Sequence, residues 1–211
     1  VSDLYVFDDI VEDESTLRDI IGTPHPVIEK KVLQFLDSNC RLFIERSPFA
    51  LIASSDGRAS VDISPKGDAP GFVKILDDAT LIVPERLGNR RADTFRNVLK
   101  HPHVGLIFLI PGKNETLRVS GRAKIVRDKG LMKTMAVKER APKLGLAVEV
   151  EKVLFHCGKS MLRSKLWRPE DWPPTKDLPS LAKILADLKN IKVPKTILNI
   201  AIKRDEKKGL Y

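Results

Sequence analysis

Thr116 to Val126 reads TLRVSGRAKIV. Leu117, Val119, Gly121, Ala123 and Ile125 alternate with Thr116, Arg118, Ser120, Arg122 and Lys124. A period of two puts the small apolar set on one face of a strand and the polar, basic set on the other. A strand of this length with Gly near its middle suits one bent around a barrel.

The neighbouring segments repeat the pattern. Val104 to Ile110 is an apolar strand closed by Pro111-Gly112. Phe49 to Ser54, FALIAS, reads as a buried strand, and Asp56-Gly57 is a hairpin turn. Ala59 to Ser64 returns with Val61 and Ile63 on one face, and Pro65-Lys66-Gly67-Asp68 is expected to break it. Thr80 to Val83 is a further short strand, and Ala147 to Cys157 is the last. Helices are expected from Pro26 to about Leu36, from Cys40 to Glu45, after an Asp93 cap to about Lys100, and from Lys129 to Met135. The pattern predicts a mainly β, α+β chain built on a small barrel with helical decoration.

The two ends differ in charge. Residues 1–20 hold seven acids against one Arg, and Gly22-Thr23-Pro24-His25-Pro26 is a break, so residues 1–26 read as an acidic lead-in. Residues 27–170 are expected to form the barrel domain. Residues 171–211 read as a basic helical extension packed on the barrel or on a partner subunit. Ser180 caps a first helix there, with Leu181, Ile184, Leu185 and Leu188 on one stripe, and Pro194 opens a second.

Composition narrows the function classes. A 211-residue chain with 42% apolar residues supports one well-buried core. No apolar run approaches the ~18–20 residues that span a bilayer. Val1-Ser2-Asp3-Leu4 lacks the basic and apolar regions of a signal peptide, and two cysteines make no disulfide framework. The expectation is a cytoplasmic protein with no membrane partner. A net charge of +9 raises nucleic acid as a partner. The basic residues are scattered through strands, however, and 6% aromatics leave few stacking platforms, so nucleic acid is not expected. His101 and His103 lack a third ligand at local spacing, so no metal is expected. Cys157 follows His156 within a strand, where neighbours face opposite sides, so it reads as a buried structural thiol.

Chemistry concentrates where strands end. Gly88-Asn89-Arg90-Arg91 places two guanidinium groups on a turn, and each matches the oxygens of a phosphate. Lys66 ends another strand, and if the two strands are neighbours these cations converge on one anion. A solvated basic loop is the plain alternative for each. No glycine-rich nucleotide motif is present, so a phosphate has to be held by side chains and a turn.

Five segments carry a resemblance, in order: RLFIERSPFALIAS (41–54), VDISPKGDAPGFV (61–73), IVPERLGNRRADTFRNVLKHPHVGLIFLIPG (82–112), ETLRVSGRAKIVRD (115–128) and FHCGKSMLRSKLWRP (155–169). Together they resemble the pyridoxamine 5′-phosphate oxidase-like FMN-binding family, closest to a bacterial branch of uncharacterised flavoproteins. The resemblance implies a split β-barrel with N- and C-terminal helical extensions. It also implies a homodimer with FMN at the subunit interface, a small-molecule substrate and an electron donor such as NAD(P)H. It puts Asp62, Ile63, Ser64, Pro65 and Lys66 along the flavin, with Lys66 reaching the phosphate. Asn89, Arg90 and Arg91 stand at the phosphate turn. Thr116 stands where the oxidases carry a flavin-contacting Gln, and His156 where they carry a Trp. Arg163 and Trp167 lie in the segment that crosses the dimer. The oxidases' Arg-x-His substrate pair reads Arg163-Ser164-Lys165, so pyridoxamine phosphate oxidation is not implied. An FMN-dependent oxidoreductase is the leading expectation. A flavin-binding sensor without turnover, and a basic module for nucleic acid or anionic surfaces, stand as alternatives.

Overall fold

Alternation and turn chemistry lay down the strands in the computed structural model, which describes residues 7–58, 60–188, 193–208 and 210. The chain divides into two units between Val32 and Leu33. The first contains α1 (Glu14–Ile21) and α2 (Pro26–Glu29). The acidic lead-in is therefore partly helical. Asp13 accepts from the Thr16 backbone N–H at 2.8 Å and so caps α1, which ends at Gly22 with φ +76°.

The second unit opens differently from expectation. The helix predicted through Leu36 stops at Glu29. Leu33 instead exchanges backbone hydrogen bonds with Val153, at 2.9 and 2.7 Å, and Leu36 N–H donates to Asp78 O. Helix α3 (Ser38–Arg46) follows. Asp37 caps it by accepting from Cys40 N–H, which holds the Asp37 carboxyl below the usual range.

Seven strands form one antiparallel sheet: β1 (Phe49–Ser55), β2 (Val61–Gly67), β3 (Lys74–Ile75), β4 (Thr80–Pro84), β5 (His103–Leu109), β6 (Thr116–Val126) and β7 (Gly145–His156). Their spatial order is β2-β1-β5-β6-β7-β4-β3. Strand β6 lies at the centre and pairs along its length with β5 and β7. A bulge between Ser120 and Gly121 shifts the register against β7. A Cβ on Gly121 would lie 1.9 Å from Glu149 O, so only glycine fits there.

Strand β2 extends beyond the expected break and runs through Pro65 and Lys66. It is the sheet edge, so the missing N–H of Pro65 costs no ladder bond. The expected start at Ala59 lies outside the described residues. Helix α4 (Asp93–Val98) has Ala92 at its N-cap position with no side-chain cap bond, and Asp93 is its first helical residue instead of its cap. Helices α5 (Lys129–Thr134), α6 (Lys159–Ser164), α7 (Leu181–Asp187) and α8 (Lys195–Lys208) complete the chain. Ser180 caps α7 as expected, and α7 packs on α8.

The core lies between the curled sheet and α3. Ile52, Leu81, Leu106, Phe108, Leu117 and Val148 are buried there with Cys40 and Ile44. Burial pushes the Cys40 thiol up to about 12, so it stays protonated. Curling brings edge strand β2 against the end of β4, where side chains bridge the two. Arg86 Nε donates to Asp68 Oδ2 at 2.6 Å, and its guanidinium also reaches Met135 O at 3.0 Å. Lys66 Nζ lies 3.9 Å from Glu85 Oε2. Between β2 and β4 the barrel is joined by ion pairs instead of a ladder, which is the split.

Candidate functional site

The β2–β4 seam holds a cavity of about 480 Å³. Strand alternation decides which side chains reach it. Asp62, Ser64 and Lys66 pair with Ser54, Ile52 and Ala50, so they share the core-side face of the sheet. Val61, Ile63 and Pro65 share the outer face. The cavity is bordered by residues 62–67 and by the loop from Pro84 through Phe95. All eight candidates of the two basic segments, Asp62 to Lys66 and Asn89 to Arg91, border this cavity, though of the β2 residues only Asp62, Ser64 and Lys66 have side chains on its face.

The cations do not meet at one point. Lys66 sits beside Glu85, whose carboxyl is pushed up by burial and partly drawn back by Lys66. Arg91 lies toward the other end of β2. Its Nε bonds Asp93 Oδ2 at 2.7 Å, and the charge of Asp62 acts on it more weakly. Asp62 and Lys66 are four residues apart, about 13 Å along a strand. Asn89 Oδ1 accepts from the Arg91 backbone N–H at 3.0 Å, which fixes the turn. Arg90 has φ +62° and makes no ion pair among the described residues. A second cavity of about 770 Å³ adjoins the first, sharing Glu85, Arg86 and Arg90 and adding Arg140 and Lys143.

Asp62 and one further residue of the seam cavity carry polar atoms that are buried without a hydrogen-bond partner, Asp62 Oδ2 and Thr94 Oγ1. Thr94 is 4% exposed. Neither Thr94 nor Glu85 stands out in sequence. The Ala-Asp-Thr run reads as a helix start, and Glu85 reads as part of a charged loop.

The other candidates form a separate group. Thr116 pairs with His156, and alternation places both opposite Leu117; Thr116 is buried there, 7% exposed, and His156 is exposed. Trp167 Nε1 donates to Lys113 O at 2.8 Å, which pins that ring against the β5–β6 turn. Arg163 is exposed on α6. None of the four lines the seam cavity. Counted along the sheet, β6 is three strands from β2, and β7 lies beside β4 on the far side of the seam.

The thiol expected to be buried is not. Cys157 is exposed, because β7 ends at His156 and leaves the side chain beyond the sheet. His101 lies before β5 with its ring 4.8 Å from that of His103, and no group of three or more metal-ligating side chains occurs among the described residues. No helix among them is long and apolar enough to cross a membrane.

Fold and site together define a mainly antiparallel split barrel with a cationic cavity at its seam. The sequence profile of pyridoxamine 5′-phosphate oxidase matches residues 36–157, more than half of the chain, and the protein belongs to that family. Comparison with curated proteins gives no match. Among solved structures, HupZ of Group A Streptococcus is similar at 18% identity and a TM-score of 0.45, covering 56% of this chain and 90% of its own. An FMN-binding protein from Syntrophomonas wolfei matches at 16% identity and a TM-score of 0.41, covering 55% of this chain and 86% of its own. The heme storage protein HutZ from Vibrio cholerae matches at 12% identity and a TM-score of 0.41, covering 58% and 94%.

Proposed function

We propose that this chain binds FMN in the seam cavity and acts as an FMN-dependent oxidoreductase on a small molecule. The single observation that carries the reading is the cavity itself: one space of about 480 Å³ lined by Lys66, Arg90 and Arg91 and containing buried polar atoms with no partner. That donor set fits a phosphate ester. The volume lies within the ~300–1,000 Å³ usual for small-molecule sites. Arg90 and Arg91 would take the phosphate, each charge-assisted bond contributing about 1.5–3 kcal/mol. The flavin ring would lie along β2 toward Lys66, which Glu85 steadies and which supplies positive charge at that end. Bound flavin supplies the electron-transfer chemistry. The adjoining cavity, with Arg140 and Lys143, offers room for an anionic substrate or electron donor.

A homodimer belongs to the same proposal. Phe49, Val61, Ile63 and Ile107 lie on adjacent strands of the outer face and are 39%, 71%, 63% and 36% exposed. A second copy would cover that face and bring its own Thr116, His156, Arg163 and Trp167 toward the first chain's cofactor. Free Cys40 and Cys157 suit a reducing compartment such as the cytoplasm.

Fluorescence titration of FMN into the full chain tests the reading. Quenching with Arg90→Ala weakened tenfold or more is expected. Equal affinity in both proteins would remove Arg90, and no quenching in either would remove FMN.

A further inference from the structure

Helices α7 and α8 pack on each other and still leave apolar side chains outside. Ala182 is buried, and Leu185, Leu198 and Ile202 are half-buried. On α7 and its C-cap, Leu181, Ile184 and Leu188 are exposed at the i, i+3 and i+7 positions of one face. On α8, Ile197 and Ile200 are exposed, Ile200 by 69%, and Ala201 and Arg204 continue that face at i+4 and i+7. The charge around these stripes is mostly of one sign. Residues 176–211 hold nine Lys and Arg against four acids. Lys183 pairs with Asp187, while Lys195, Lys203 and Arg204 are exposed and make no ion pair among the described residues. The acids Asp205 and Glu206 fall roughly 100° or more away from the apolar stripe of α8.

Charge alone leaves nucleic acid and an anionic surface both open to such a segment, and the stripes decide between them. A phosphate backbone attracts cations but offers nothing to exposed Leu and Ile, and α7 and α8 carry no aromatic side chain on which a base could stack. A second copy of the same helices would bring like charges together. A bilayer surface meets both features, because apolar side chains enter the headgroup boundary while Lys and Arg stay at the anionic phosphates. The lack of a long apolar helix among the described residues bears only on crossing a membrane, not on lying along one. We infer that the α7–α8 pair docks in the plane of an anionic lipid surface, with Ile197 and Ile200 entering the headgroup boundary and Lys203 and Arg204 held at its phosphates. The inference is independent of the flavin reading, since neither helix lines the seam cavity.

Pelleting of the full chain with vesicles tests it, using equal parts phosphatidylcholine and phosphatidylserine against phosphatidylcholine alone. Binding to the anionic vesicles is expected to be at least about tenfold tighter than to the neutral ones, and to weaken as salt rises. Lys203→Glu with Arg204→Glu should weaken it about tenfold or more. Ile200→Ser should weaken it about tenfold as well, with the circular dichroism and melting temperature of the chain unchanged. Ile197→Ser replaces it should Ile200→Ser fail to fold. Equal binding to both vesicle types, or normal vesicle binding by the serine variant, would overturn the inference. So would tighter binding of a single-stranded oligonucleotide that Ile200→Ser leaves intact, which assigns the helices to nucleic acid. Wild-type protein that stays in solution with both vesicle types also overturns it, and a change of oligomeric state in Ile200→Ser would then give the stripe to a second copy.

Discussion

The β2–β4 seam and the Thr116–His156 patch lie in one sheet but are built on opposite principles. At the seam, charged side chains are held by partners: Asp68 by Arg86 and Lys66 by Glu85 toward the core side, and Arg91 by Asp93 at the exposed rim. On the outer patch, Thr116 and His156 sit at a strand end beside an apolar face, and Trp167 is fixed through one bond to the Lys113 carbonyl. The seam is a cavity complete in one chain. The patch lies outside that cavity, and in the proposed dimer its residues meet the ligand across the partner surface. Side by side, the two regions mark where a single chain stops being a whole site.

The largest expected effect falls on the seam. Asp68 is 2% exposed at its side chain and its carboxylate is paired to Arg86. Arg86→Met takes the guanidinium from a buried carboxylate that keeps the Ala69 N–H, and a loss of up to about 3–5 kcal/mol is expected in chemical denaturation. A loss below ~1 kcal/mol would show that the ion pair does not close the barrel. The next effect sets seam against patch. Arg90→Ala damages only the seam, and Trp167→Ala only the patch. In the proposed dimer each variant alone should bind FMN about tenfold more weakly, while a refolded mixture regains tight sites because each mixed pair has one intact site. No recovery on mixing would place both residues in a site formed within one chain.

The smallest effect concerns Glu85. Burial raises its carboxyl above the ordinary value, and Lys66 opposes that shift. Between the unfolded and folded values the native state holds the extra proton, so stability falls as pH rises through the window just above the ordinary carboxylate range. Lys66→Met pushes Glu85 up further and widens that window. The variant should match wild type below the window and trail it by less than about 1 kcal/mol above it, as read by thermal melts across pH. A gap that is the same at every pH would dissociate Lys66 from Glu85.

Much of the sheet was legible because its signals are local. Alternation marked β6, Asp56-Gly57 marked the β1–β2 hairpin, and Ser180 marked the start of α7. What escaped depends on partners distant in sequence. The Leu33–Val153 bridge overrode a helical pattern, since the chain gains a sheet partner that no window around Leu33 contains. Pro65 stayed in a strand because β2 is an edge, a fact of topology. The site divides in the same way. Lys66, Asn89, Arg90 and Arg91 were readable as cations and a turn at strand ends, and they line one cavity. Thr94 and Glu85 gain their roles only from burial. The exposure of Cys157 follows from β7 ending one residue earlier than its apolar pattern suggests.

The visible absorption spectrum of the purified full chain, taken after incubation with FMN and removal of free ligand, is the sharpest test of the seam cavity as a flavin site. A yellow protein that retains FMN in a fixed ratio to chain, and releases it on denaturation, is the predicted result. A colourless protein that leaves all added FMN in the free fraction would contradict it.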